Sequence, residues 1–194
     1  MVKFLSNKPL ILFFDNFLSE TECNNIVNYP WQWIKSTGYD HESESSKDTP
    51  IRTSNSVYLY PHPFQQPKET LILRAKVASF LKIAPDRIEF LQLQRYNVGQ
   101  EYKPHYDYFH SGMHTENNRV ATLIIYLNDQ FKGGGTSFPK LGVSTEPKKG
   151  SAVYFEYDYD DTTNLLTLHA GDPIIEGCKV IVTAWIRKDT WVYK

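Results

Sequence analysis

Cysteine is scarce. The chain has two in 194 residues, Cys23 and Cys178. They lie far apart and form no CxxC pair, so no thiolate metal cluster or disulfide framework is indicated. They read as two buried thiols of a reducing compartment. An excess of one charge is also missing. The 21 Lys and Arg against 22 Asp and Glu give a formal net charge of -1. No global field points to nucleic acid or to an anionic membrane, and no basic run stands out. Membrane-length apolar runs are absent; Pro9 to Phe14 is far too short to span a bilayer. Met1 to Asn7 lacks the basic head, long apolar stretch and cleavage site of a signal peptide. A soluble cytoplasmic protein is the expectation, with neither nucleic acid nor membrane as partner. Gly133-Gly134-Gly135 opens neither a GxGxxG nor a phosphate-loop pattern. No serine-nucleophile motif occurs. The acidic stretch Glu156 to Asp161 lacks the Gly and terminal Glu of a helix-loop-helix calcium loop and reads as solvated.

Aromatic residues are plentiful: 14% of the chain, with 13 Tyr and 11 Phe. That favours strands. Leu10 to Phe14 reads as a buried strand. Ser19 and Glu22 form a capping box, predicting a helix over Glu20 to Tyr29. Leu71, Ala75, Ala78 and Leu81 recur at helical spacing, predicting a second helix over Pro67 to Lys82. Between them, Tyr39 to Pro50 has no apolar period and reads as a mobile loop. Strands are predicted at Ser56 to Tyr60, Ile88 to Tyr96, Arg119 to Leu127, Ser151 to Tyr157, Leu165 to His169 and Cys178 to Arg187. Short strands punctuated by Gly and Pro turns predict a mainly β protein with flanking helices. The expected architecture is a jelly roll with the N-terminal helices packed on one sheet. The length suits one domain, with residues 1–86 as a supporting region and 87–194 as the core.

The chemistry-bearing residues fall in that second part. Lys103-Pro104-His105-Tyr106-Asp107 places His-x-Asp on a predicted strand, where side chains at i and i+2 share a face. His169 lies near the end of a later strand. Two imidazoles and one carboxylate on one face of a metal leave its remaining positions open, which is the facial triad of non-haem iron oxygenases. Taken alone, His-x-Asp is a weak signal, for which a hydrogen-bonded strand histidine is the better reading; a later His adds a little. Lys179 follows His169 after a turn-rich segment. By period two, Lys179, Ile181, Thr183, Trp185 and Arg187 share one face of the last strand. A lysine pointing inward is costly unless it meets an anion. The even positions Val180, Val182 and Ala184 are the more apolar set, however, and the pattern alone slightly favours Lys179 on the solvent side.

Further motifs occur in order. They are Arg95-Tyr96, Gly99-Gln100, Tyr102, Pro104 to Phe109, Arg119-Val120-Ala121-Thr122, Tyr126-Leu127-Asn128, Gly133 to Pro139, Pro147 to Ala152, His169-Ala170-Gly171, Gly177, Lys179 and Trp185. With these, the stretch from Gln94 to Arg187 resembles the catalytic domain of the prolyl 4-hydroxylases, iron(II)- and 2-oxoglutarate-dependent dioxygenases, above all their small bacterial and algal forms. Asp15 to Ser19 and Ile51 to Ser54 extend the likeness towards the N-terminus.

The resemblance implies a double-stranded β-helix. It implies Fe(II) held by His105, Asp107 and His169, and Lys179 anchoring the C5 carboxylate of 2-oxoglutarate. Tyr96 and Thr136 match positions that add hydroxyl contacts to the cosubstrate, and Trp185 matches a pocket aromatic. Tyr102 and Arg119 match positions near the substrate groove. The simpler reading of Tyr96 and Trp185 is core aromatics, and of Thr136 a turn residue. Two departures stand out. Gly135 replaces the usual Glu before Thr136. Arg187 stands where some members carry a His that helps position substrate, so it joins Tyr102 and Arg119 as a candidate substrate contact.

The implied reaction uses Fe(II), 2-oxoglutarate and O2, with ascorbate as an accessory reductant. It hydroxylates a prolyl residue of a peptide or protein at the 4-position and releases succinate and CO2. The loop Tyr39 to Pro50 is expected to close over that peptide. His110 and His114 fall in the polar loop from Phe109 to Asn118. Alternatives are the same chemistry on free proline or another side chain, and a non-catalytic metal-binding jelly roll. A homodimer is compatible with all of these.

Overall fold

Ser19 Oγ accepts from the Glu22 backbone N–H at 3.3 Å, and the Glu22 carboxylate accepts from Ser19 N–H at 2.7 Å. This reciprocal cap opens helix α1, Glu20–Val27, which ends two residues short of the predicted Tyr29. Helix α2 spans Lys68–Leu81. Lys76 of α2 donates to Glu22 Oε1 at 2.8 Å and ties the two helices together. The computed structural model describes residues 1–40, 45–47, 49–60, 68–112 and 114–192, with backbone alone for 39–40 and 45–47.

The strands are β1 (Val2–Asn7), β2 (Leu10–Phe14), β3 (Ile34–Lys35), β4 (Gly38–Asp40), β5 (Ser45–Lys47), β6 (Asn55–Leu59), β7 (Leu91–Asn97), β8 (Tyr102–His105), β9 (Arg119–Tyr126), β10 (Phe131–Gly133), β11 (Thr136–Phe138), β12 (Val143–Ser144), β13 (Ala152–Glu156), β14 (His169–Gly171) and β15 (Ile174–Arg187). Neighbouring strands pair antiparallel throughout. The major sheet has nine strands in the order β1-β2-β13-β9-β15-β7-β6-β3, with β10 paired to β15. A minor sheet of four strands runs β12-β11-β14-β8. The two sheets form the expected jelly roll. β1, β2, β3 and β6, all from the first 86 residues, belong to the same sheet as β7, β9 and β15.

The major sheet is covered on both faces. On one, Leu91, Leu93, Leu123, Ile125, Val182 and Ala184 pack with Cys23 and Ile26 of α1 and Leu73, Val77 and Ala78 of α2. On the other, Tyr96, Ile124, Tyr126, Val153, Phe155 and Ile181 meet Phe138 of the minor sheet. Each fully buried aliphatic or aromatic side chain contributes about 1.5–3 kcal/mol. Burial on both faces explains why β9, apart from Arg119 and Thr122, reads as an apolar run instead of alternating.

Several expectations change. Leu165–Thr167 is a short 3-10 turn, and the strand starts only at His169. β8 ends at His105, so Asp107 sits in the bend beyond it. Part of the predicted loop from Tyr39 to Pro50 is a small hairpin in which β4 pairs with β5. Positions 41–44 and 48 of that loop lie outside the described residues. Both cysteines are free thiols, Cys23 buried and Cys178 half-buried. No helix among the described residues is long and apolar enough to cross a membrane.

Candidate active site

Register brings the site together. β14 pairs with β8 so that His169 lies directly opposite His105, with ring centroids 4.3 Å apart. Asp107 then turns back towards both. Its Oδ1 lies 3.5 Å from His105 Nε2 and its Oδ2 3.5 Å from His169 Nε2. One ligand atom from each residue lies within 4.8 Å of the others. The opposite ring nitrogens face backbone carbonyls: His105 Nδ1 is 2.8 Å from Lys103 O and His169 Nδ1 is 3.0 Å from Thr167 O. A carbonyl only accepts, so each Nδ1 carries the hydrogen, which in a neutral ring leaves the Nε2 lone pair for a metal.

The protonation states suit metal binding. Burial alone would raise the Asp107 carboxyl, but His169, His105 and Arg119 more than reverse this and hold it well below the usual carboxylate range. Burial, reinforced by His105 and opposed by Asp107, lowers His169 to about 4. At neutral pH the site therefore offers a neutral imidazole beside a carboxylate. Two nitrogens and one carboxylate oxygen, gathered on one side and buried, fit a hard-to-borderline divalent cation with open positions, Fe(II) above all.

Beside the triad is a cavity lined by Lys179, Thr136, Tyr96, Tyr102, Trp185 and both histidines. Lys179 is 1% exposed, which overturns the slight preference of the apolar pattern for a solvent-facing lysine. Its Nζ donates to Gly134 O at 2.9 Å and lies 4.5 Å from the Tyr96 ring centroid. Gly134 is required there: its φ is +69°, and a Cβ would come 2.5 Å from Ile174 Cδ1 and 3.2 Å from Lys179 Cδ. Burial lowers Lys179 to about 8, with Asp172 opposing. An ammonium with three donors and one such carbonyl acceptor has room for a carboxylate. Thr136 Oγ1 meets Tyr126 OH at 2.6 Å, which in turn meets Thr145 Oγ1 at 2.8 Å. Sequence reasoning missed Tyr126 and Thr145, whose hydroxyls are buried beside this pocket.

Tyr102 stacks on His105 with centroids 3.5 Å apart and planes at 12°. Burial pushes its phenol up to about 12. Arg119 is not a free substrate contact. It grips Glu89 with Nε and Nη2 at 2.7 and 2.8 Å, donates to Asp107 O at 3.1 Å, and lies 4.2 Å over the Trp185 ring. Arg187, expected at the substrate, is enclosed. It is outside the cavity lining, donates to Asn117 O at 2.7 Å, and its Nε lies 2.6 Å from Glu89 Oε1. That last contact is an ion pair and not a directed hydrogen bond, since the N–H is misaimed. Glu89 was the residue the sequence concealed. Burial would raise its carboxyl, but Arg119 and Arg187 hold it low. Its signal was a lone acid inside the apolar stretch Ile88-Glu89-Phe90-Leu91.

A larger cavity of about 450 Å³ lies elsewhere and shares no lining residue with the one beside the triad. Arg119, Tyr108, Tyr157, His110 and Glu116 line it. The smaller cavity is the candidate site because it alone holds the triad and Lys179.

Residues 91–187 match the 2OG-Fe(II) oxygenase superfamily. Among similar proteins, the probable prolyl 4-hydroxylase 3 of Arabidopsis thaliana is 33% identical over 208 residues, covering 94% of this chain and 71% of that protein. Prolyl 4-hydroxylase 2 of the same plant is 29% identical, covering 98% and 71%. Among solved structures, the viral collagen prolyl hydroxylase of Paramecium bursaria Chlorella virus-1 in its 2-oxoglutarate complex superposes with a TM-score of 0.68. It is 28% identical and covers 91% of this chain and 95% of that one. A Pseudomonas putida prolyl 4-hydroxylase, 18% identical with a TM-score of 0.62 and 95% coverage of both chains, shares the fold.

Proposed function

Since the chain belongs to the 2OG-Fe(II) oxygenase superfamily and is a dioxygenase of prolyl 4-hydroxylase type, we propose that it hydroxylates prolyl residues within a peptide or protein. His105, Asp107 and His169 would hold Fe(II). Bound iron supplies the O2 chemistry that couples conversion of 2-oxoglutarate to succinate and CO2 with hydroxylation of a C–H bond. The protein's own part is binding, orientation and exclusion of water. Lys179 takes the far carboxylate of 2-oxoglutarate through charge-assisted hydrogen bonds. The Thr136 and Tyr96 hydroxyls supply further contacts to the cosubstrate. Tyr102 and Trp185 wall the place where the target ring sits.

The observation that carries the cosubstrate reading is Lys179, a buried ammonium beside the triad that forms no salt bridge with any carboxylate among the described residues. Among the described residues five buried donors stand without a hydrogen-bond acceptor, Arg52 Nε, Gln92 Nε2, Arg95 Nε, Trp185 Nε1 and Arg187 Nε, and of these residues Trp185 lines the cavity beside the triad. Arg52 lies 4.9 Å over the Tyr102 ring and donates through Nη2 to Gln92 at 2.6 Å. A proline-rich segment in polyproline II form exposes every carbonyl and lacks an N–H at each proline. It is an acceptor-rich ligand, and Trp185 Nε1 is a donor beside the triad left for one of its carbonyls.

Two finer readings follow. Ascorbate is the reductant we expect to keep the iron ferrous. The two free thiols support a reducing, cytoplasmic setting. The test is succinate formation by the purified protein with Fe(II), 2-oxoglutarate and O2, with and without a proline-rich peptide. Peptide-stimulated succinate with a one-oxygen mass gain on the peptide is the expected result. Stimulation by free proline alone would redirect the substrate. No succinate from iron-loaded, folded protein would overturn the enzymatic reading.

A further inference from the structure

Thr122 stands out as a hydroxyl in the middle of the apolar strand β9. It is fully buried, and Tyr157, beyond the end of β13, is 2% exposed. Their oxygens lie 2.9 Å apart, and Thr122 Oγ1 lies 2.7 Å from Asp107 Oδ2. An ionised carboxylate only accepts, so the single Thr122 hydrogen goes to Asp107. Thr122 then has a lone pair left for the Tyr157 hydrogen. The direction of the chain is thereby fixed: Tyr157 donates to Thr122, and Thr122 donates to Asp107. Bonds in series of this kind polarise one another in the same sense.

We propose that Thr122 and Tyr157 are positioning residues that set the Asp107 carboxylate for single-oxygen coordination of the metal. The inference rests on Asp107 being a metal ligand. Thr122 takes one lone pair of Oδ2, whereas Oδ1, 3.5 Å from His105 Nε2, accepts no side-chain hydrogen bond among the described residues and is the less encumbered oxygen for a metal. A two-oxygen grip would occupy a position needed by the cosubstrate or O2. The partner also fixes the plane of the carboxylate, so the ligand is held before the metal arrives. Neither residue lines the cavity beside the triad, so both would act there through Asp107. A purely structural role would require only volume at these positions.

Thr122→Val keeps the volume and removes the donor. Co(II), a redox-stable stand-in for Fe(II), is titrated calorimetrically into the full chain and its d–d spectrum recorded. Thr122→Val is expected to weaken Co(II) binding about 10–100-fold and to alter the spectrum. Thr122→Ser restores the donor and should return affinity and spectrum towards wild type. Tyr157→Phe should shift both in the same direction, by less. A folded Thr122→Val protein that binds Co(II) as wild type does, with the same spectrum, would overturn the proposal. If Thr122→Val fails to fold, Tyr157→Phe decides, and unchanged affinity and spectrum there overturn it equally. Asp107→Ala separates the two levels. Wild-type Co(II) affinity in that variant would refute the triad itself. Lost binding there, with Thr122→Val unaffected, would refute the relay alone.

Discussion

Lys179 carries its charge at a cost in stability, because burial in the site pulls its amine down to about 8 from 10.5. Replacing it with Met keeps the chain length and removes the buried charge, so folding should not suffer. Binding should. A hydrogen bond to a charged partner contributes about 1.5–3 kcal/mol, so Lys179→Met should raise the KM for 2-oxoglutarate about 10–100-fold without lowering the melting temperature. A raised KM accompanied by a lowered melting temperature would make Lys179 a structural residue. The pH dependence follows from the same shift. Between about 8 and 10.5 the unfolded chain binds the Lys179 proton more readily than the folded one. Stability of the cosubstrate-free protein therefore gains from this residue as pH rises through that window. Urea unfolding at the two ends should show a rise in wild type relative to Lys179→Met, and equal pH slopes in the two proteins would contradict the shift. In the sequence this residue was ambiguous for a physical reason. Period two separates Lys179 from Val180, but it cannot say which side is inward when both sides are covered.

Segments differ in how much of themselves they declare. α1 announces itself through Ser19 and Glu22, since both capping partners lie within one turn and need no tertiary help. α2 and β9 are legible from apolar spacing alone. Leu165–Thr167 misleads, because an apolar run reads as strand while the preceding residues nucleate a turn. Asp160 accepts from Thr163 N at 3.0 Å and from Thr163 Oγ1 at 2.8 Å, opening helix α3, Asp161–Asn164. The cap wins locally and delays β14 until His169. Glu89 shows the opposite limit. Its partners, Arg119 on β9 and Arg187 on β15, are distant in sequence, so nothing near Glu89 reveals that it holds two elements together. Removing one partner of a buried charge cluster costs roughly 3–5 kcal/mol. Glu89→Gln should lower unfolding free energy by an amount of that order in denaturant titration. It should also weaken peptide-dependent turnover, since Arg119 loses the carboxylate that aims it at Trp185 and the Asp107 carbonyl. A change below about 0.5 kcal/mol, the scale of an ordinary surface substitution, would show that the two arginines do not depend on it.

At the scale of the whole molecule, the jelly roll divides labour between the two faces of its major sheet. The face under α1 and α2 is apolar and carries stability. The face towards the minor sheet carries Gln92, Gln94, Tyr96, Lys179 and Thr183 together with aromatic core, and so gives up some packing for a site. Polar residues on the inner face of a buried sheet are costly without ligands. Ligands should therefore restore what the site gives up. A ligand binding only the folded state at 100 times its Kd adds about 2.7 kcal/mol. For a chain of this size each kcal/mol moves the melting temperature by about 2–4 °C. Saturating Co(II) with 2-oxoglutarate should thus raise the melting temperature by roughly 5–10 °C over the chelator-treated protein. The increments should separate by residue. Lys179→Met should keep the rise due to metal and lose the further rise due to 2-oxoglutarate. His169→Ala should lose both, because the cosubstrate would be held by the bound metal as well as by Lys179. If 2-oxoglutarate alone gave the full rise in His169→Ala, Lys179 would be a sufficient anchor by itself and the two halves of the site would be energetically independent.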